Sequence, residues 1–202
     1  MRYEMMVGFG LVFSVVLLSG CGREAKQAQT PQEALGNLHA ALVDGDLEAF
    51  LDCFETPSDD HKQALEAKFR FELANREFEQ AMKKAYNEEP SAPEPIGSNA
   101  WLEGANFSAA DENNGVYARG AARLALVKKG DGWLIKAADF LATGQKMDEP
   151  ARLRATEYRQ MAEALAQVRR RIGKGGYDAR KIRRELSEAE LEVRLQSARD
   201  KQ

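Results

Sequence analysis

The chain has 202 residues, of which 30% are charged, and its formal net charge is -3 at pH 7. A mean hydropathy of -0.52 and a pI of about 5.6 predict a largely polar body and argue against nucleic-acid binding. The two histidines and two cysteines form no metal-ligand spacing, so we predict no metal and no other cofactor. The length suits one domain of ordinary size with an appendage.

A short apolar run near the N-terminus ends in the lipobox-like tetrapeptide Leu18-Ser19-Gly20-Cys21. At about 12 residues it has the length of a signal-peptide core, and it is shorter than the roughly 20 residues that span a bilayer. Small residues at Ser19 and Gly20 let the chain enter a peptidase cleft, and Cys21 supplies a thiol for lipid attachment. This arrangement resembles the signal of bacterial lipoproteins.

That resemblance implies removal of residues 1–20 as a signal peptide, a palmitate-type lipid on Cys21, and an exported protein bound to the membrane of the cell envelope. In some bacteria an aspartate after the lipidated cysteine retains such proteins in the inner membrane. Gly22 therefore favours the periplasmic face of the outer membrane. An ordinary secretory signal with a chance cysteine is the alternative. Residues 21–29 are polar and aperiodic, which predicts a tether.

Three helices are predicted after the tether. Thr30-Pro31-Gln32-Glu33 combines a capping box with proline at the first helical position. Gly45 can end this helix, and Asp46 can cap a short second one. Ser58 can cap a long third helix that reaches about Asn87. Its main apolar stripe is predicted to pack on a sheet and comprises Ala67, Phe71, Ala74, Phe78, Ala81, Met82 and Ala85.

The hydrophobic pattern then changes to a period of two. Three strands are predicted, at about residues 100–109, 115–128 and 132–141, with turns at Asn113-Asn114-Gly115 and Lys129-Gly130-Asp131-Gly132. Along the middle strand, alternation predicts that Tyr117, Arg119 and Arg123 share one face, opposite an apolar face.

Two helices are predicted in the C-terminal region, separated by Gly173-Lys174-Gly175-Gly176. This region is basic whereas the rest of the mature chain is acidic, which favours its docking on the acidic body over binding to an acidic partner. The last helix has two apolar stripes, and an antiparallel neighbour can cover only one of them. The body, a partner protein or a second copy must cover the other. The stripes are Ile182, Leu186, Ala189 and Val193, and Leu191, Leu195 and Ala198.

The run from Ala40 to Phe50, with a Gly-Asp pair at Gly45-Asp46, and the later Gly132-Trp133-Leu134-Ile135 resemble the NTF2-like superfamily, including its SnoaL-like members. The resemblance implies an α+β fold in which three N-terminal helices pack on a curved antiparallel sheet to form a cone. We assign residues 30–145 to this domain and residues 146–202 to a C-terminal helical hairpin.

This superfamily contains enzymes as well as non-catalytic binding and assembly modules, so the fold alone selects no function. Candidate pocket residues are Tyr117, Arg119, Arg123 and Asp139, but they form no known catalytic motif, and a structural ion pair is the simpler interpretation of Asp139 with an arginine. We therefore expect a membrane-anchored binding module that contacts a protein or an envelope component through its C-terminal helices. The alternative is a small-molecule-binding protein or a SnoaL-like enzyme that uses the interior of the cone.

Overall fold

The computed structural model describes residues 28–89, 95–142 and 150–200, so the predicted signal peptide, Cys21 and most of the predicted tether lie outside it. The fold is α+β with a mostly antiparallel sheet. No helix within these ranges has both the length and the apolar character needed to cross a bilayer. The elements in chain order are α1 (Pro31–Asp44), α2 (Leu47–Asp52), β1 (Phe54–Glu55), α3 (Asp59–Tyr86), α4 (Asn99–Glu103), β2 (Asn106–Ala109), β3 (Asn114–Arg119), β4 (Ala122–Lys129), β5 (Gly132–Lys136), α5 (Ala137–Ala142), α6 (Ala151–Arg169) and α7 (Ala179–Arg199).

The predicted N-terminal caps are confirmed. The Thr30 hydroxyl accepts a hydrogen bond from the Glu33 amide at 3.1 Å, and Asp46 and Ser58 cap α2 and α3 in the same way. Gly45 ends α1 in the left-handed conformation, with φ of 71°. Because each of these contacts spans only three or four residues, the local sequence is sufficient to specify them.

The sheet has the strand order β1-β5-β4-β3-β2, in which β1 runs parallel to β5 and the other pairs are antiparallel. One face of it is covered by helices, and four phenylalanine rings with centroids 4.8–6.0 Å apart fill the centre of this core. Leu124, Leu126 and Ile135 of the sheet are fully buried against them. The rings belong to Phe50, Phe54, Phe69 and Phe140.

The predicted single strand over residues 115–128 is wrong, because a two-residue turn divides it into β3 and β4. Gly120 has φ of 58°, a left-handed value that such a turn requires and that glycine adopts without strain. Tyr117 consequently lies opposite Leu124, on the face that packs against the helices. Arg123 lies opposite Ala118, so the turn moves it to the other face of the sheet from Tyr117 and Arg119.

The first and third of the three predicted strands are also wrong in part, since each includes a short helix. The segment at 100–109 starts as α4, where the Ser98 hydroxyl accepts a hydrogen bond from the Trp101 amide at 3.1 Å. The segment at 132–141 ends as a strand at Lys136, and α5 follows. Ala137, Phe140 and Leu141 have the spacing of a helix face and are all buried. Asp139 therefore lies on a helix and not on a strand.

Helix α3 lies between two separate cores. Leu65 and Phe69, near its start, pack in the sheet core. Phe78 and Met82, near its end, are fully buried in a second core, although the sequence analysis placed them on the sheet. That prediction is wrong because the C-terminal helices, rather than strands, cover the second half of α3. Their contribution to this core is Leu165, Val168, Ile182 and Leu186.

Ion pairs also join the C-terminal helices to α3, as the opposite charges of the two regions predict. The guanidinium of Arg183 makes two hydrogen bonds to the Glu79 carboxylate, at 2.6 and 2.8 Å, and its Nε lies 3.2 Å from Glu88. Arg183 also lies over the ring of Phe78. Paired, partly buried charges of this kind are stabilising only while both members are present.

A buried lysine marks the junction of the two cores. Lys68 is only 7% exposed, and its Nζ lies 3.0 Å from the Glu72 carboxylate and 4.8 Å from the Tyr158 ring centroid. Burial by itself lowers the pKa of Lys68, but Glu72 and Tyr158 outweigh it, so the net shift is upward. The ammonium therefore stays charged at neutral pH, held by one carboxylate and by aromatic faces.

Cys53 is a buried thiol at the end of α2, where its Sγ donates a hydrogen bond to the Ala49 carbonyl at 3.2 Å. Burial, with a smaller effect of the Asp52 charge, raises the pKa of Cys53 from 9.0 to about 12. Because the folded protein favours the protonated thiol, this contribution to stability is complete below pH 9. It is lost as the pH rises from about 9 to about 12.

We predict that Cys53→Ser reduces the loss in free energy of unfolding that the wild-type protein shows between pH 9 and pH 11. Above pH 9 the wild-type protein loses up to about 1.4 kcal/mol per pH unit through this thiol alone. Serine cannot ionise in this range, so the difference in free energy of unfolding between the two proteins should change steadily from pH 9 to pH 11. Urea denaturation across that range measures it, and parallel profiles would contradict the assignment.

Candidate functional site

An open cleft lies at the edge of the sheet, between α4 and the strands β2 and β3. Its volume is about 400 Å³. Its apolar wall includes Phe107 and Leu102, while Asn99 and Glu103 contribute polar groups. Small-ligand sites are usually concave and mostly apolar with a few polar groups, whereas this cleft is open and mixed in its lining. The full lining is Gln32, Asn99, Leu102, Glu103, Ala105, Phe107 and Tyr117.

The aromatic wall depends on a glycine. The Phe107 ring lies directly over Gly115 on the neighbouring strand, where a Cβ would be only 2.4 Å from the ring. The ring also lies 4.9 Å from the centroid of Tyr117 and meets Trp133 edge-on at 6.4 Å. Phe107 nevertheless remains 40% exposed, so one side of the ring is open to a ligand.

The polar rim of the cleft is positioned by α4. Trp101 is buried next to Tyr117 and fixes this short helix on the core, which places Asn99 and Glu103 at the cleft. Just before α4, Gly97 adopts φ of 82° and lies so close to α1 that a Cβ would be 2.1 Å from the Leu35 carbonyl oxygen. Close contact between Gly97 and α1 thus sets the position of the rim.

The four predicted pocket residues do not converge. Tyr117 lines the cleft, and Arg119 lies beside it, with its Nε 2.8 Å from the position a Cβ on Gly104 would take. Arg123 is exposed on the opposite face of the sheet, and Asp139 lies on α5. Burial raises the pKa of Tyr117. Burial also raises the pKa of Asp139, partly offset by Lys136 rather than by either arginine.

Sequence reasoning missed most of the cleft residues. Because residues 100–109 were predicted to form a strand, neither α4 nor the position of Asn99, Leu102 and Glu103 at the cleft was predicted. The available signal was Ser98, a capping residue three positions before Trp101. Gln32 was interpreted only as part of the capping sequence of α1, yet it also reaches the cleft.

A second candidate surface lies on α7. Ile182 and Leu186, in one of its apolar stripes, are buried against α6 and α3. Leu191 and Leu195, in the other stripe, are 58% and 53% exposed. These two leucines, with the exposed Ala198, form what we call the outer stripe of α7.

Comparisons of the chain with protein-family models, with curated proteins and with solved structures give no match. In the part of the chain that the structure describes, no group of three or more histidine, cysteine, aspartate or glutamate side chains could hold a metal ion. The features of this chain that bear on its function are therefore the cleft, the outer stripe of α7 and the N-terminal sequence.

We predict that Gly97→Ala destabilises the protein and disturbs the cleft. Alanine at this position would strain the left-handed backbone and clash with the Leu35 carbonyl, and the two effects together cost about 2–4 kcal/mol. Gly36→Ala is the matched control, because it lies within α1 and has no neighbour within 4 Å of the new methyl group. The control should gain up to about 1 kcal/mol. Thermal unfolding followed by circular dichroism compares them, and equal effects would refute the role of Gly97.

Proposed function

We propose that this protein is an exported lipoprotein, anchored to the cell envelope by lipid on Cys21, whose body is a non-catalytic NTF2-like binding and assembly module. It contacts a protein or another envelope component through the C-terminal helices. The lipobox Leu18-Ser19-Gly20-Cys21 supports the anchor. The α+β architecture, in which α1 and α2 precede a mostly antiparallel sheet and α3 packs in the same core, supports the NTF2-like assignment.

The observation that carries the proposed contact is the unequal burial of the two sides of α7. Its inner side completes the second core, and Arg183 secures the helix to α3 through Glu79. The N-terminal half of the helix is therefore held on the body, while Leu191 and Leu195, farther along it, remain exposed. Scattered exposed leucines are common on protein surfaces, but two at a spacing of four residues on a fixed helix are typical of helix-in-groove or helix-pairing contacts.

The geometry of the predicted polar residues favours binding over catalysis. General acid–base catalysis needs a titratable group within hydrogen-bond reach of the substrate, and groups that act as a pair must converge on one site. Arg123 and Tyr117 lie on opposite faces of the sheet, and Asp139 lies on α5. The centre of the sheet core is filled by phenylalanine rings, whereas the cleft at its edge offers open space to a ligand.

A second candidate function is small-molecule binding in this cleft, favoured by the partly exposed ring of Phe107 in the same lining as the polar Asn99 and Glu103. Gly115→Ala tests it, because the added methyl group displaces the ring while Glu103 and Asn99 are untouched. A ligand of the cleft should bind this variant more weakly than the wild-type protein. Gly36→Ala, far from any neighbour, is again the control.

We predict that the wild-type chain incorporates a palmitate analogue in bacterial cells and that Cys21→Ala does not. The lipid requires the thiol that follows the cleavage site, and alanine removes only that thiol. Cys53→Ser is the matched control and should label normally, since Cys53 is buried. In-gel detection of the analogue measures incorporation. An unlabelled wild-type protein would refute the anchor.

We predict that a photo-crosslinking amino acid at Leu195 captures a partner in the envelope, whereas the same group at Val43 does not. The two residues are equally exposed apolar positions, at 53% each, but Val43 lies on α1 and outside the outer stripe. Immunoblots of irradiated cells would show specific adducts for Leu195. Identical adduct patterns at the two positions, or none at either, would contradict a contact through α7.

A further inference from the structure

The polar groups that line the cleft share one chemical character. Gln32 and Asn99 carry side-chain amides, and Glu103 carries a carboxylate. Each amide has N–H donors and a carbonyl acceptor, and a carboxylate is an acceptor only. All three residues are exposed, so their side chains can turn towards a ligand. Such a set suits the hydroxyl groups of a ligand, because a hydroxyl both donates and accepts hydrogen bonds.

The charge of the cleft favours a neutral ligand. Glu103 is the only charged residue among the described residues that line it. Phosphate and carboxylate ligands are usually held by arginine or lysine, which are not among these residues. Arg119 lies against Gly104, next to Glu103 in the chain, and its positive charge offsets that carboxylate. An ammonium ligand would therefore meet little net negative charge.

The Phe107 ring supplies a flat apolar surface beside these polar groups. The ring lies against Gly115 and contacts the rings of Tyr117 and Trp133, with centroids 4.9 and 6.4 Å away. These contacts hold it in place, and yet Phe107 remains 40% exposed. Because the ring is already ordered, little conformational entropy is lost when a ligand stacks on it.

We propose that the cleft binds a neutral saccharide, with the C–H face of one sugar ring stacked on Phe107 and its hydroxyl groups hydrogen-bonded by Asn99 and Glu103. This names the ligand class of the second candidate function and therefore rests on it. The C–H groups of a sugar carry slight positive charge and the face of an aromatic ring is negative, so the two attract each other. The open mouth leaves the remaining hydroxyl groups in water, which avoids burying them without partners.

Titration with chitotriose, cellotriose and maltotriose, followed by NMR, tests the proposal. The full chain is isotope-labelled and held in a detergent without sugar headgroups. At least one trisaccharide should bind with a Kd of about 0.1–1 mM, as expected for an open cleft with few contacts. The side-chain amide signals of Gln32 and Asn99 should shift, whereas that of Gln196, on α7 and outside the cleft, should not. Binding of none of the three, or shifts only outside the cleft, would overturn the proposal.

Substitutions test the stacking and the hydrogen bonds separately. Phe107→Ala should weaken binding of the same trisaccharide about tenfold, while Phe107→Tyr, which keeps a ring, should stay within about threefold of the wild type. Asn99→Ala keeps Phe107 and should weaken binding about three- to tenfold, so the test survives if Phe107→Ala fails to fold. Val43→Ala, at another exposed apolar position, is the control. Wild-type affinity in both Phe107→Ala and Asn99→Ala would overturn the proposal.

Phenethylamine, an aromatic ammonium compound, is the contrasting probe. The proposal predicts that it leaves the Gln32 and Asn99 signals unchanged at concentrations at which the trisaccharide shifts them. If phenethylamine shifts these signals and no trisaccharide does, small-molecule binding in the cleft stands and only the saccharide class is refuted. Because both probes are read from the same signals, failure of the ligand class is distinguished from failure of the cleft as a site.

Discussion

Both hydrophobic cores of the described chain include residues of the long helix α3, because its first half packs in one core and its second half in the other. Near its start, Leu65 and Phe69 close the aromatic core of the sheet, and near its end Phe78 and Met82 are covered by α6 and α7. Fully buried side chains of this size contribute about 1.5–3 kcal/mol each relative to exposure. The C-terminal helices are consequently an integral part of the packing, and the protein cannot lose them without exposing half of α3.

A bidentate ion pair between α3 and α7 restricts the orientation of the last helix, in addition to apolar packing. Lys68 pairs with Glu72 on its own helix and lies near aromatic rings, while Glu79 binds Arg183 through two hydrogen bonds. An apolar surface tolerates many helix orientations, but a bidentate pair accepts few, and a buried charge without its partner is costly. These contacts therefore fix which side of α7 faces inward, and thereby which side presents Leu191 and Leu195.

The candidate site could be predicted from sequence only in part. Tyr117 was identified, and it lines the cleft, because alternation in β3 marks it as a face residue. Asn99 and Glu103 were missed, since α4 has only five residues and its helical pattern cannot be separated from a strand over so short a length. The sequence analysis placed Arg123 on the same face as Tyr117 because it assumed one continuous strand. The two-residue turn at Gly120 changes the alternation, and a single glycine inside a periodic run is a weak signal for such a turn.

Local chemistry determined the helices of this protein: Thr30, Asp46 and Ser58 cap them as predicted, because a capping contact needs only its neighbours in sequence. The sequence by itself also showed two apolar stripes on the last helix and the opposite charges of the two regions. Only the tertiary structure decided that α3 packs its second half on helices instead of strands, and that Leu191 and Leu195 stay exposed. Those outcomes depend on contacts between segments that are far apart in sequence. Because hydrophobic burial is non-directional, the apolar pattern of one segment does not specify which other segment will cover it.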